Sequence, residues 1–297
     1  MPTRSLGGTV TIASLYLTQE GIVLGADSTS SSVGDGDLHF FDFSQKLLEV
    51  GRDTTFGFLT WGLGHVGDVS FRRLVALLGD SLAASPPTSV GEVAKRWVRL
   101  FKPVYDAHPP IRSLRNTLKN NAGRGKRAPS ELPAEIRDAV AVNSVGFCIA
   151  GYVLPDRVPD ARVITFQPSS SAPTVDTPAL NELHLWGMPN VMNRLMYGVD
   201  QPFLDALSRS GKWSGTEEEL VGLLAPHVLK PRERLPMRDA IDYVHSAIYC
   251  TIKAVKFSTA AQVCGGPIEI AVITSDRLFR WVRHKPWHAA IVDGDFS

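Results

Sequence analysis

Cysteine is scarce in this sequence. Its three residues, Cys148, Cys250 and Cys264, stand far apart with no CxxC pair, which argues against a disulfide framework and against a zinc site. Buried, inert thiols are the simpler reading of Cys148 and Cys250, and a reducing cytoplasm is the compartment that fits. Long apolar runs are missing too: none approaches the ~20 residues a membrane helix requires, and the first eight residues lack the apolar core of a secretion signal. Met1 to Gly8 are compatible with a short propeptide. No charge of one sign dominates, since 31 basic against 30 acidic residues leave a net charge of +1, so overall electrostatics give no support to a nucleic-acid or membrane-surface role. No metal and no cofactor is expected. What is present is ordinary globular material. The 297 residues, 44% hydrophobic and 21% charged, suffice for a sizeable core.

Strand signals come early and in pairs: 9–17 with 22–29, then 44–50 with 54–61 around the turn Gly51-Arg52-Asp53. Helical periodicity follows over 67–83 and 89–106, where Ser89 and Glu92 have the spacing of a capping box. Residues 108–140 break the pattern with Pro109-Pro110, Pro129, Pro133 and the run Gly123-Arg124-Gly125-Lys126-Arg127, and read as an insertion or connector. Six basic residues and no acid occur from 107 to 130, Arg112, Arg115, Lys119, Arg124, Lys126 and Arg127. Without an aromatic residue for stacking bases, a solvated insertion is a better reading than a nucleic-acid arm. Strands resume at 145–153, 161–167 and 180–186. Helices are expected over 189–208, 216–228 and 238–257, and strands over 267–274 and 277–283. Grouped strands and grouped helices are not the alternation of a parallel βαβ protein. They suit an α+β fold, two antiparallel sheets packed face to face between helical layers in one domain over 1–297.

The first hairpin carries the most chemistry. Gly8-Thr9-Val10-Thr11 opens a strand, Thr18-Gln19-Glu20-Gly21 reverses it, and the return strand Gly21-Ile22-Val23-Leu24-Gly25-Ala26-Asp27 brings an aspartate back beside the threonines. A carboxylate in such a place needs a cation, and Lys46 follows after a polar loop, flanked by Phe43 and Leu47. If Leu17 faces Ile22 across the turn, Ile12 faces Asp27. A threonine hydroxyl is a weak nucleophile unless a base takes its proton, and an N-terminal threonine has its own α-amine, with a pKa near ~8, for that purpose. The plain alternative is that Thr9 and Thr11 are ordinary β-branched strand residues, with Asp27 and Lys46 at strand ends. A rival class also has a motif. Gly62-Leu63-Gly64-His65-Val66-Gly67 matches GxGxxG after a strand and before a helix, with Asp80 at a ribose-contact distance in sequence, although Asp80 falls in an amphipathic helix and the preceding strands are hairpins.

The order Gly-Thr, Ile-Val-Leu-Gly-Ala-Asp, a strand with lysine, Thr60-Trp61-Gly62-Leu63 before a helix, and the late Ala261-Gln262-Val263-Cys264-Gly265-Gly266 resembles a proteasome β-type subunit. That family belongs to the N-terminal nucleophile hydrolases, with the bacterial two-ring protease subunit as a close relative. The resemblance implies a four-layer αββα sandwich and a threonine-type peptidase of the cytoplasm, enclosed in a homo-oligomeric ring, acting on peptide or protein and fed by an ATPase activator. It implies Thr9 as the nucleophile from the Gly-Thr cleavage signature, or Thr11 from the hairpin count, with Asp27 and Lys46 as a buried pair and the Gly62 N–H as oxyanion donor. Cys264 and Gly265 would give weaker support. The family's acid and serine before the last strand are replaced by Ala261 and Cys264, and no serine stands in Trp186-Gly187-Met188-Pro189, so a catalytically silent subunit, scaffold or regulator, is the second reading. Ring assembly would use the helix pair 67–83 and 89–106, with Trp97 and Phe101 as anchors if they face outward.

Overall fold

Two chain reversals set the architecture. Ala13–Leu17 (β1) and Gly21–Ala26 (β2) pair antiparallel with Leu17 opposite Ile22, around a turn in which the Thr18 hydroxyl accepts from the N–H groups of Glu20 and Gly21, each at 3.1 Å. Leu47–Glu49 (β5) and Phe56–Gly62 (β6) do the same around Gly51 and Asp53, both at positive φ. The computed structural model describes residues 11–34, 37–122, 132–229, 234–259 and 261–285, with backbone alone over 31–34 and 37–40. Thr9 and the basic residues Arg124, Lys126 and Arg127 lie outside them, as do Met1 to Gly8.

The first hairpin grows into a five-stranded sheet. Its order is β10 (Leu183–Trp186), β1, β2, β11 (Glu269–Thr274), β12 (Arg277–Arg283), and the second sheet runs β5, β6, β7 (Val145–Gly151), β8 (Asp160–Phe166), β9 (Thr174–Asp176). Every pairing is antiparallel. Between Ala26 and β5, a stretch read from the sequence as a polar loop contains a separate ribbon, β3 (Ser30–Gly34) with β4 (Asp37–Phe41). Its serines and glycines concealed the strands, whose pairing is made by backbone.

Side-chain alternation along the strands divides the interior into three apolar layers. Leu15, Leu24, Leu47, Leu59 and Ala271 meet between the sheets. On the outer face of the second sheet, Phe58 and Phe147 pack against α1 (Phe71–Ala84) and α2 (Val90–Ala107). On the outer face of the first, Tyr16, Val23 and Ile270 pack against Val244 and Ile248 of α8 (Met237–Lys256). Both sheets are covered on both faces, so β1 and β2 are buried at every residue. The result is the expected four-layer αββα sandwich of two antiparallel sheets.

Three details depart from the sequence reading. Trp97 and Phe101 face inward: both are 0% exposed, and Trp97 sits 4.6 Å from Phe58 and 4.9 Å from Phe147 by ring centroid. They anchor α2 to the sheet and are lost to any assembly surface. The stretch expected as a connector over 108–140 is largely helical where described, with α3 (Pro109–Ala122) and α4 (Ala134–Val142). Proline is tolerated in a first turn, whose N–H groups have no helical partner, so Pro109-Pro110 starts a helix here. The helix expected over 189–208 is two, α5 (Asn190–Tyr197) and α6 (Gln201–Ser210), because Gly198 turns left-handed at φ 78° and Asp200 caps the second by accepting from Phe203 N–H. A further short helix, α7 (Glu217–Leu224), opens on a Thr216/Glu219 capping box. No described helix is long and apolar enough to cross a membrane.

Candidate active site

The hairpin register delivers the first contact of the site. Asp27 N–H donates to the Ile12 carbonyl at 3.1 Å, and Ile12 N–H donates to Asp27 Oδ1 at 2.9 Å, so Ile12 and Asp27 stand opposite each other as the turn count predicted. The same Oδ1 accepts from Lys46 Nζ at 2.6 Å, and Oδ2 accepts from Gly265 N–H at 3.0 Å. Asp27 is fully buried and Lys46 only 5% exposed. Removing an ion pair from water is costly, and it is offset only where the geometry is close and the remaining lone pairs are satisfied. Here three donors converge on one carboxylate, and Lys46 also donates to the Thr29 carbonyl at 2.5 Å. Lys46 reaches this position because it is the last residue before β5, with its carbonyl fixed by Thr60 N–H at 3.0 Å.

Thr11, one residue before Ile12, lines a cavity of about 380 Å³ together with Lys46, Thr60, Trp61, Gly62 and Arg72. The sequence candidates Thr11, Lys46 and Gly62 therefore share one space, with Asp27 behind them. Gly62 ends β6 at φ 81°, where a Cβ would stand 2.4 Å from the Ser144 carbonyl oxygen, so no side chain fits at the cavity wall. Gly187 is a member the sequence reading missed. At φ 84°, its Cβ would lie 1.6 Å from the Thr11 carbonyl oxygen; the absence of a side chain lets the turn after β10 press against Thr11. The missing serine of this turn was sought in the sequence, while the glycine itself was the informative residue. Trp61 and Trp186 stack at 4.5 Å between centroids beside this turn.

The late segment holds the far side of Asp27. The Gly265 carbonyl accepts from Ser28 and Thr29 N–H at 2.9 and 3.0 Å, and the Ser28 hydroxyl donates to the Pro267 carbonyl at 2.6 Å, so this turn and the end of β2 hold each other through backbone and side-chain bonds together. Cys264 is buried, and burial, reinforced by the Asp27 charge and opposed by Lys46, pushes its thiol up to about 12. It stays protonated at neutral pH and acts neither as base nor as thiolate. Ala261 is exposed and brings no polar group.

A second buried carboxylate also escaped the sequence reading. Glu269 is fully buried on β11 opposite Ala26, with His284 Nδ1 at 2.8 Å from one oxygen and Lys285 Nζ at 3.3 Å from the other. Lys285 in turn donates to the carbonyls of Ser44 at 2.6 Å and Phe43 at 3.1 Å, holding the loop that carries Lys46. Burial raises the Glu269 carboxyl above the usual range despite the nearby Lys285 ammonium and His284 ring, and burial lowers the Lys285 ammonium, with Lys46 and Arg72 adding to the effect. His284 and His288 have a four-residue spacing, but His284 is engaged by Glu269 and His288 lies outside the described residues.

The glycine loop does not have the surroundings a dinucleotide needs. β6 pairs antiparallel with both neighbours, whereas the fingerprint belongs to a parallel βαβ unit with its phosphate at the helix start. Here Val66 and Val69 form a bridge around Gly67, and α1 begins only at Phe71.

No protein-family model matches the chain, and no curated protein matches it. Among solved structures, the chain is similar to the Anbu (Gly-1) mutant from Hyphomicrobium sp. strain MC1, at 12% sequence identity and a TM-score of 0.48, over 94% of this chain and 88% of that one.

Proposed function

We propose that the chain is a threonine-type N-terminal nucleophile hydrolase that cleaves amide bonds in peptide or protein, with Thr11 as nucleophile. The observation that carries this reading is the double use of Asp27, which fixes Ile12 N–H and Lys46 Nζ with the same oxygen and so sets Thr11 beside Lys46 on the wall of one cavity. Cleavage of the Val10-Thr11 bond would free the α-amine. That amine takes the Thr11 hydroxyl proton as the oxygen attacks the amide carbonyl, Lys46 favours the developing negative charge, and the Gly62 N–H serves the oxyanion. The amine then returns the proton to the leaving nitrogen, the C–N bond breaks, and water hydrolyses the Thr11 ester. Thr11 is preferred to Thr9 because it is the residue next to Ile12. A homo-oligomer with its sites enclosed belongs to this reading; Trp97 and Phe101 take no part in its contacts.

The second reading, a silent subunit acting as scaffold or regulator, is favoured by the absence of polar support at Ala261 and by the protonated, buried Cys264. Two measurements on purified protein separate the readings. Intact mass should show a chain starting at Thr11, and a fluorogenic peptide amide should be hydrolysed by wild type and not by Thr11→Ala. A mature chain that keeps residues before Thr11, with no turnover, selects the silent subunit.

A further inference from the structure

The cavity beside Thr11 has an unbalanced lining. Among the described residues, Lys46, His65 and Arg72 face it and no carboxylate does. Lys46 is matched by Asp27, which leaves Arg72 as the unmatched cation: its guanidinium donates to the Gln45 side-chain carbonyl and makes no ion pair among the described residues. Gln45 is itself tied to the Leu47 carbonyl at 3.0 Å, so Arg72 is held by an oriented neutral acceptor that does not consume its charge. Arg72 and Arg73 also occupy the first turn of α1, a 14-residue helix with no acidic residue in that turn and no side-chain bond from its N-cap, Ser70. Cations at the positive end of a helix are misplaced for the helix alone and suited to an anion arriving there. An independent observation points the same way. Thr60 is 7% exposed, lines the cavity, and its hydroxyl has no hydrogen-bond partner among the described residues. It shares the face of β6 that carries Phe58 toward α1. A buried hydroxyl left unpaired destabilises the fold unless a ligand completes it.

We propose that this cavity recognises a carboxylate, namely an acidic side chain beside the scissile amide, received by Arg72, the Thr60 hydroxyl and the open N-terminus of α1. Neutral and basic residues at that place in the peptide leave the Arg72 charge uncompensated, so they bind less well. The inference rests on the hydrolase reading for the amide, and its recognition step is measurable without turnover.

The test is calorimetric binding of two acetylated tripeptide amides, differing only in a C-terminal Glu or Gln, to the full chain at low salt. The Glu peptide should bind about tenfold more tightly, as a charge-assisted hydrogen bond at a part-exposed site implies, and the gap should narrow in 1 M salt. Arg72→Gln, at an exposed position that should not disturb folding, should remove most of the preference. Thr60→Val, which keeps shape and deletes the hydroxyl, should weaken Glu-peptide binding severalfold. Equal binding of the two peptides, binding of neither, or a preference that survives Arg72→Gln overturns the proposal. Coumarin amides of the same peptides separate the two claims: selective binding with no coumarin release defeats the hydrolase reading and sustains the pocket, while equal release from both peptides does the reverse.

Discussion

Two buried carboxylates lie near each other in this protein, each facing a lysine, and they are built differently. Asp27 has both oxygens hydrogen-bonded, by Ile12 N–H, Gly265 N–H and Lys46 at 2.6–3.0 Å. Glu269 has the His284 ring and the Lys285 ammonium within 2.8–3.3 Å, yet neither oxygen has a hydrogen bond of good geometry. In the first pair, hydrogen bonds hold both carboxylate oxygens in place; in the second, proximity without alignment leaves burial dominant and raises the carboxyl. Buried acid–lysine pairs thus serve unlike ends in one sandwich. Asp27 organises three chain segments around Thr11, and Glu269 anchors Lys285, which steadies the Phe43–Ser44 loop from outside.

The sharpest way to break this contrast is to remove a cation from each pair. Lys46→Met takes the cation away from a fully buried carboxyl, and should cost about 3–5 kcal/mol of unfolding free energy, read from urea midpoints. Gly187→Ala tests whether the site tolerates a shift of Thr11 itself: with φ at 84° and the Thr11 carbonyl in the way, about 2 kcal/mol or more should be lost by the same assay. Lys285→Met should cost less than Lys46→Met, about 1–3 kcal/mol from two abandoned carbonyls, because Glu269 escapes by taking a proton. Equal losses for the two lysine variants would erase the distinction.

A pH series sharpens the same point. The folded-state carboxyl of Glu269 is raised, so above the ordinary carboxylate range the folded chain holds a proton that the unfolded chain has released. Stability from this group therefore falls as pH rises from that range through the raised value. Glu269→Gln should flatten that part of the melting-temperature profile relative to wild type; a parallel profile would show that Glu269 ionises normally. The smallest effect concerns thiols. Cys250, read from the sequence as a buried thiol, is exposed on α8, while burial raises Cys264 to about 12 and Cys148 still further. A maleimide at pH 7.5 should label one thiol per folded chain and three after denaturation, and rapid labelling of Cys264 would contradict its sealed environment.

The legible parts of the site were those fixed by local geometry. The turn at Thr18 to Gly21 sets a register, and register alone puts Ile12 opposite Asp27; Lys46 stood out because apolar neighbours flank it in a strand. Two apolar, strand-like runs with a short turn between them announced each hairpin, and grouped elements announced the two-sheet sandwich. The rest depends on approaches between distant segments. Gly187 matters only because Thr11 is pressed on it, and Glu269 and Lys285 look like a strand-end acid and a tail lysine until β11 is laid beside β2. The ribbon at 30–41 was hidden by serine and glycine, and α3 by prolines that a first turn accepts. Trp97 and Phe101 could anchor a contact between subunits only from an outward face, and two large aromatics at helical spacing face the sheet instead.

The most direct test of the central assignment, Thr11 as a nucleophile held beside Lys46 by Asp27, is to expose the purified protein to a β-lactone, whose ring opens on an activated hydroxyl, and to map the acylated residue by digestion and mass spectrometry. The account predicts one adduct per chain, on Thr11 at the start of the mature chain, absent from Lys46→Met protein. An adduct on another residue, or an unmodified Thr11 in a chain that begins there, would contradict it.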